Sequence, residues 1–388
     1  MKTRGRLIGL KGKQVSKLER SNPLTFKLSN LEHSNPMKIG LIIYGSIDTV
    51  SGGYLYDRKL VESLRRRCDQ VEIISLPWRN YAARLTDNFH FRLPHGFDLI
   101  IEDELNHPSL LSANASKHPC PVVSLVHNLH SLEPRAVWQN HFYRMIERSY
   151  LNSMDGFIFN SNTTRNAVQK LIGEQKLFIV ANPPTDRFGL RLNENQIRAR
   201  ANESHPLRLL FLGNVIPLKG LHVLLEALRH PAFDFRLDVV GSLTVDLTSA
   251  RKMQEKANTY GLSSKVFFHD ILDNEPLIER FEHAQVMVMP SSYEGFGIAY
   301  LEGMGFGLPA IATTSGAASE FITDGENGYL IPPENSSVLA DRLATLANDR
   351  ELLSRISLNA LHRYQQQPKW EQTVDHIRNF LLQMINIK

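Results

Sequence analysis

The chain has 388 residues, 42% of them hydrophobic and 22% charged, with a net charge of +4 and only two cysteines, Cys68 and Cys120. That length suggests two domains, and the composition is that of a globular protein with no apolar run near the roughly 18 residues a membrane span needs. Two cysteines exclude a disulfide framework and a cysteine-based metal site, and the N-terminus lacks the apolar core of a secretory signal, so a cytoplasmic location is expected.

The charge is unevenly spread. Residues 1–36 hold Lys2, Arg4, Arg6, Lys11, Lys13, Lys17, Arg20 and Lys27 against Glu19 and Glu32, a net +6, which leaves −2 for the rest. A nearly neutral body argues against nucleic acid binding. The basic extension lacks apolar periodicity and is expected to be disordered. It is either a segment drawn to an anionic membrane, each basic residue adding roughly 1 kcal/mol, or a stretch preceding a true start at Met37.

Residues 38–44 form a continuous apolar run, the pattern of a buried parallel strand. A turn follows, and its pair Gly52-Gly53 opens a helix to about Arg67. Such a pair either offers amides to an anion or only turns the chain. Strands are expected at 71–76 and 98–101. The aromatic and basic stretches 78–81 and 88–92 between them read as packed loops, with contact to an acceptor or a membrane as the alternative. The strand 122–126 ends at His127, and a histidine at the carboxyl end of a parallel strand is well placed to touch a ligand in the crevice. A core histidine satisfied by backbone is the other reading. Residues 134–153 read as a helix with Trp138, Phe142, Met145 and Tyr150 expected to face the core, interleaved with Arg135, Arg144 and Arg148. A strand at 156–159, a helix cap at Ser161 and a strand at 177–180 complete a first domain over 37–185. The polar stretch 186–204 is expected to be the linker.

A second domain, 205–366, opens with the strand 207–212 and the loop Gly213-Asn-Val-Ile-Pro-Leu-Lys-Gly220, where Lys219 beside a helix start is suited to neutralise a diphosphate. Strands follow at 235–240 and 265–270. The stretch from Pro290 to Glu302 then places two carboxylates, two glycines and a helix start between a strand at 284–289 and another at 308–313. Unpaired amides and the helix dipole make such a start an anion site. Gly295 and Gly297, with Phe296 between them, remove the Cβ atoms that would keep a phosphate away. Glu294 and Glu302 accept hydrogen bonds only, which suits sugar hydroxyls. Amides for a diphosphate with carboxylates for the sugars on either side make a nucleotide-sugar site; an ordinary Gly-rich turn with two solvated glutamates is the other reading. Helices are expected at 336–348, 350–364 and 370–384, the last segment, 367–388, crossing back to the first domain. The fold class is α/β, two Rossmann-like domains facing across a cleft.

Glu294 and Glu302, separated by seven residues and followed by Gly307-Leu-Pro-Ala-Ile-Ala312, resemble the E-x7-E signature of the retaining GT-B glycosyltransferases of family 4, the group 1 glycosyltransferases. The run from Ser319 to Pro333 is similar to that family's P-E-x-V-x-D-G-x-x-G-x-L-V-P-P. The resemblance covers most of residues 37–366, more faintly in the first half. It implies transfer of a hexose, with retention, from a nucleoside-diphosphate sugar to a glycan, lipid or small-molecule acceptor, with neither metal nor cofactor. It also implies that Glu294 and His127 contact the donor sugar, Glu302 the ribose, and Lys219, Gly53 and the amides from Gly295 to Gly297 the diphosphate. The chain departs from the pattern at Asn128, where aspartate is frequent, and at Asn182-Pro183, where the family has Asn-Gly. It departs again at Asp270, in place of a glycine near the base, and at Asn214 in the donor-binding loop, where arginine is common. The missing charge at Asn214 is expected to come from the aromatic and basic loops of the first domain. A non-catalytic nucleotide-sugar binder, a GT-B-like epimerase and a phosphorylase relative remain as alternative readings. No His-x-x-x-His or Asp-x-Asp spacing suggests a metal.

Overall fold

The structure, a computed structural model, describes residues 35–173, 176–184, 186–204 and 206–387. All but the last two residues of the basic extension 1–36 lie outside them. Pro36 to Lys388 form one compact unit built of two lobes, each around a six-stranded parallel sheet.

In the first lobe the strands are β1 (Lys38–Tyr44), β2 (Gln70–Leu76), β3 (Leu99–Asp103), β4 (Val122–Val126), β5 (Gly156–Phe159) and β6 (Leu177–Val180). Its helices are α1 (Gly52–Arg66), α2 (Tyr81–Leu85), α3 (His107–Asn114), α4 (Val137–Ser153) and α5 (Asn162–Ile172). Then come α6 (Glu194–Ala201) and the second lobe. Its strands are β7 (Leu207–Leu212), β8 (Phe235–Val240), β9 (Val266–His269), β10 (Val286–Val288), β11 (Ala310–Thr313) and β12 (Gly328–Ile331). Its helices are α7 (Leu221–Ala227), α8 (Leu247–Thr259), α9 (Asn274–His283), α10 (Ile298–Gly305), α11 (Ser336–Asn348) and α12 (Arg350–Gln365), and α13 (Trp370–Ile387) ends the chain. Strands covered on both faces must be apolar throughout: every residue of β4, β5, β10 and β11 is buried.

The second sheet has the order β12-β11-β10-β7-β8-β9, that of a dinucleotide-binding fold, and the first runs β2-β1-β3-β4-β5-β6. In such sheets ligands bind where the order reverses. That point lies between β7 and β10 in the second lobe and between β1 and β3 in the first. The loops after β7 and β10 carry Lys219 and Glu294, and the loop after β1 leads to Gly53 in the first turn of α1.

Helix α13 returns to the first lobe, where Val374, Ile377, Leu381 and Met384 enter the same core as Ile39, Leu41 and Val123. Arg378 adds two hydrogen bonds, 2.8 and 2.9 Å, to the buried Asp69 carboxylate.

Two expectations are corrected. The stretch 186–204 is not a bare linker, because α6 within it docks on the second lobe. An Asn193–Gln196 capping box starts this helix, and Ile197 is fully buried against Leu358 and Leu361 of α12. The buried Arg200 guanidinium donates to the carbonyls of Phe281, Glu282, Phe306 and Gly307, where α9 and α10 end. A cation among carbonyls at helix C-termini is favourable, which accounts for a polar segment packing so tightly. The stripe on α4 also faces the other way: Tyr150 is buried, but Trp138, Phe142 and Met145 are 72%, 43% and 60% exposed. The inward face is instead that of Glu147, Tyr150 and Leu151. Spacing gives a helix its period but not which side faces in.

Candidate active site

Glu294 is fixed by its backbone. Its amide donates to Ser315 O at 3.3 Å and its carbonyl accepts from Ala317 N at 2.9 Å, across an isolated bridge to Gly316. Gly316 has φ +105°, and a Cβ there would meet Glu294 O at 2.0 Å, so only glycine fits. Lys219 ends a short 3-10 turn, Pro217–Lys219, held by the Ser292 N to Leu218 O bond of 2.9 Å. Gly220 behind it lies at φ +73° against Pro290 O, which would be 2.0 Å from an added Cβ. These two constraints bring Lys219 Nζ to 2.6 Å from Glu294 Oε2, with the side chains 22% and 16% exposed. Just beyond, Gly297 at φ +98° starts α10, whose first residues, Ile298 and Ala299, border the same space.

The first lobe supplies the opposite wall. Asn160 Nδ2 donates to the carbonyl of His127 at 2.7 Å, and the imidazole Nε2 lies 2.8 Å from Oδ1 of Asp57, a fully buried carboxylate on α1. Burial alone pulls the imidazole down, but Asp57, with Asp103 and Glu104 behind it, outweighs this and holds His127 at about 8. The same burial pushes Asp103 up to about 7 and Glu104 to about 8. The lobes touch where Thr163 N and Oγ1 donate to Glu320 Oε1 at 2.6 and 2.7 Å, and also at Gly295. A Cβ on it would lie 2.3 Å from His127 O, and Ser161 Oγ donates to its carbonyl at 3.1 Å. Its missing side chain therefore lets the first lobe approach.

At the far end Glu302 is raised by burial, opposed by Arg187, whose Nη1 sits 3.4 Å from Glu302 Oε1. Arg187 Nη2 also donates to Asn274 Oδ1 at 2.6 Å. Phe296 is buried against Phe321, ring centres 5.4 Å apart, so only its backbone is free to meet a ligand. Asn214 accepts from Ser242 N at 3.3 Å and serves the loop.

Gly53, His127, Asn214, Lys219, Glu294, Gly295, Phe296, Gly297 and Glu302 all border one cavity of 1030 Å³ between the lobes. The expected source of a replacement cation is not on its wall. In the stretches 78–81 and 88–92 Arg79 pairs with Asp87 at 3.0 Å, and Arg92 donates to the carbonyl of Phe91 at 2.7 Å. The arginines that do line the cavity are Arg58 and Arg187. Arg187 sits in the polar stretch taken for a linker and carries no motif. Asp57 was legible only as the residue one helical turn after Gly53.

Two clusters among the described residues bring three metal-ligating atoms within 4.8 Å of one another: Asp57, Asp103 and His127, and Glu104, His107 and Glu147. In the first, the imidazole nitrogen is already joined to Asp57. In the second, His107 Nδ1 lies 3.0 Å from Glu104 O and Nε2 lies 2.9 Å from the Tyr81 hydroxyl. Tertiary folding assembles both, which linear spacing does not reveal.

Residues 193–363 match the family described as Glycosyl transferases group 1, and residues 58–184 match Glycosyltransferase Family 4. The chain belongs to the group 1 glycosyltransferases. Among curated members of this family, a D-inositol 3-phosphate glycosyltransferase of Streptomyces bingchenggensis is 28% identical over 228 residues, 56% of this chain and 50% of that protein. Another from Arthrobacter sp. is 33% identical over 162 residues, 39% of this chain and 38% of that one. The chain thus spans about half the length of the curated relatives it matches, or less. Among solved structures, sucrose-phosphate synthase of Thermosynechococcus elongatus superposes with a TM-score of 0.76 at 19% identity, covering 91% of this chain and all of that one. HepE of Anabaena, in complex with UDP and glucose, gives 0.69 at 20% identity over 89% of this chain and 99% of that one. These likenesses establish the two-lobed GT-B fold. Among the described residues no helix is long and apolar enough to cross a membrane.

Proposed function

We propose that this group 1 glycosyltransferase moves a hexose from a nucleoside-diphosphate sugar to an acceptor hydroxyl, with retention and without a metal ion. The observation that carries this is the contact between Lys219 and Glu294 beside the start of α10: a cation and unpaired amides for the leaving diphosphate, next to a carboxylate for the sugar. As the bond from the anomeric carbon to the β-phosphate oxygen breaks, charge gathers on the diphosphate and the carbon becomes oxocarbenium-like. In the front-face reading the acceptor oxygen bonds to the same face of that carbon, and its proton passes to the departing phosphate oxygen. Lys219 and the amides of α10 meet the growing charge, which supports the metal-free reading. Glu294 and His127 hold the sugar, Glu302 takes the ribose hydroxyls, and Arg58 or Arg187 makes good the charge missing at Asn214. Closing the lobes keeps water from the donor.

The test is a thermal-shift screen of UDP, GDP and ADP sugars, UDP-glucose first because HepE is described in complex with it. Donor consumption is then followed in EDTA, with the anomeric configuration of the product read by NMR. One donor should stabilise the protein and give a retained product. No stabilisation by any donor, or turnover abolished by EDTA, refutes the reading.

The exposed stripe on α4 supports a cytoplasmic enzyme working against an anionic membrane. Trp138, Phe142 and Met145 point outward, flanked by His141, Arg144 and Arg148, and the one acid of the helix, Glu147, is buried. An apolar stripe edged by cations is how an amphipathic helix lies in a lipid headgroup layer.

A further inference from the structure

Beside the main cavity lies a second, of 740 Å³, with a different character. One face of α1 forms its floor: Leu55, Arg58, Lys59 and Arg66 fall on a single side of the helix and line roughly 16 Å of it. Arg187 comes from the segment entering the second lobe, and Lys369 stands just before α13. Five cations thus face two carboxylates, Asp186 and Glu371. Part of this charge is matched locally, since Lys59 pairs with Glu62 at 2.9 Å and Arg187 with Glu302 at 3.4 Å. Arg58 comes no closer than 3.8 Å to the exposed Asp48, and Arg66 donates to the neutral Ser63 hydroxyl. Among the described residues the Lys369 ammonium has no hydrogen-bond or ion-pair partner.

Like charges gathered on the walls of one cavity repel, and a dianion among them removes the cost. Both lobes and the returning helix contribute to the walls, so the cavity exists only in this arrangement of the lobes. Arg58 and Arg187 border both cavities, which places the second within reach of a ligand in the first.

We propose that this annex is a second anion site, taking a phosphate group that is not the donor's diphosphate. The phosphate arrives either on the acceptor or on a small free compound that binds across the lobes. The site goes beyond the donor reading, because three of its cations, Lys59, Arg66 and Lys369, lie outside the main cavity.

The test titrates inorganic phosphate and a hexose monophosphate into the full chain, with UDP present and ionic strength held constant with sodium chloride, by calorimetry. Saturable binding is expected, weakened at least tenfold in the Arg66→Ala, Lys369→Ala double variant, with UDP affinity unchanged. Lys369→Gln, at an exposed position, serves alone if the double variant loses its fold, and should weaken binding at least threefold. In a separate incubation with UDP-glucose or another sugar nucleotide in place of UDP, transfer of the sugar to the monophosphate with release of the nucleoside diphosphate identifies a phosphorylated acceptor, and binding without consumption identifies a free effector. Absence of saturable binding, or equal affinity in the variants, overturns the proposal. UDP affinity is read separately, so a failed donor reading shows as lost UDP binding while the difference between wild type and variant still reports on the annex.

Discussion

Lys219 is shared between two partners, and substituting each side of the pair separates their parts. The ammonium lies 2.6 Å from the Glu294 carboxylate, with both side chains largely shielded. A diphosphate must compete with that carboxylate. A unit charge 4 Å from the ammonium is worth about 4 kcal/mol at an effective dielectric near 20, and desolvation of both groups offsets much of it. Glu294→Gln keeps the shape and removes the competing charge. UDP should bind about 1 kcal/mol more tightly, roughly fivefold, while transfer falls by at least about 100-fold because the sugar loses a charged acceptor. Lys219→Met keeps the stem and removes the counter-charge, leaving Glu294 facing the phosphates. UDP should then bind about 2–3 kcal/mol more weakly, roughly 30- to 150-fold. The double variant should lose less than Lys219→Met alone, since the exposed carboxylate is gone as well. Calorimetric titration of UDP into the four proteins, with melting curves as a check on folding, measures this. A Glu294→Gln protein that binds UDP more than fivefold weaker, or a Lys219→Met protein within twofold of wild type, refutes the shared-lysine argument.

Gly295→Ala should wedge the lobes apart, because its Cβ would meet a backbone carbonyl at 2.3 Å. Small-angle scattering should show a larger radius of gyration with the melting of each lobe retained, and an unchanged radius would refute the contact. Stability should fall as pH rises from 7 to 9. Burial pushes Glu102 and Glu147 to about 7, as it does Asp103, and Glu104 to about 8, while Asp57 holds His127 at about 8. By pH 7 the unfolded chain has released the carboxyl protons and most of the imidazole proton, so the native state binds more of them. The stabilisation from His127, complete below about 6.5, is lost as pH passes 8, about 2 kcal/mol. Buried carboxyls forced to ionise add to the loss, and a melting temperature flat or rising over this range would contradict these assignments. Replacing Trp138, Phe142 and Met145 with serine should cut binding to vesicles rich in phosphatidylglycerol at least tenfold and change stability by about 0.5 kcal/mol or less. Equal vesicle binding would remove the membrane reading.

The bounds of β1, β4 and β5 agree with the sequence because a strand covered on both faces is a nearly continuous apolar run. Those of β6, β7 and β8 agree as well, although Phe178 is exposed in β6 and Arg208, Arg236 and Asp238 interrupt the other two, and α10 begins where Gly297 breaks the extended chain. What was not legible depends on contacts distant in sequence. Outward and inward stripes of α4 have the same period, and Arg200 reads as a linker residue until the ends of two helices surround it. Gly316 shows its purpose only against the Glu294 carbonyl. Lys219 and Glu294 meet because their loops leave β7 and β10, neighbours at the second sheet's reversal, a relation set by strand order and invisible along the chain. Basic residues near aromatic ones look available along the chain, whereas in the fold Arg79 is paired with Asp87 and Arg92 with the Phe91 carbonyl.

The placement of α13 in the first lobe's core bears on how the polypeptide is made. A ribosome normally releases domains in order, each folding as it emerges. Here the half made first lacks the apolar side chains of residues 374–384 until the whole of the second lobe has been made, so the half made later is ready sooner. Nascent first lobe must wait with a sheet face uncovered, a natural client for a chaperone, and stop codons before residue 370 would damage the end of the protein farthest from them in sequence.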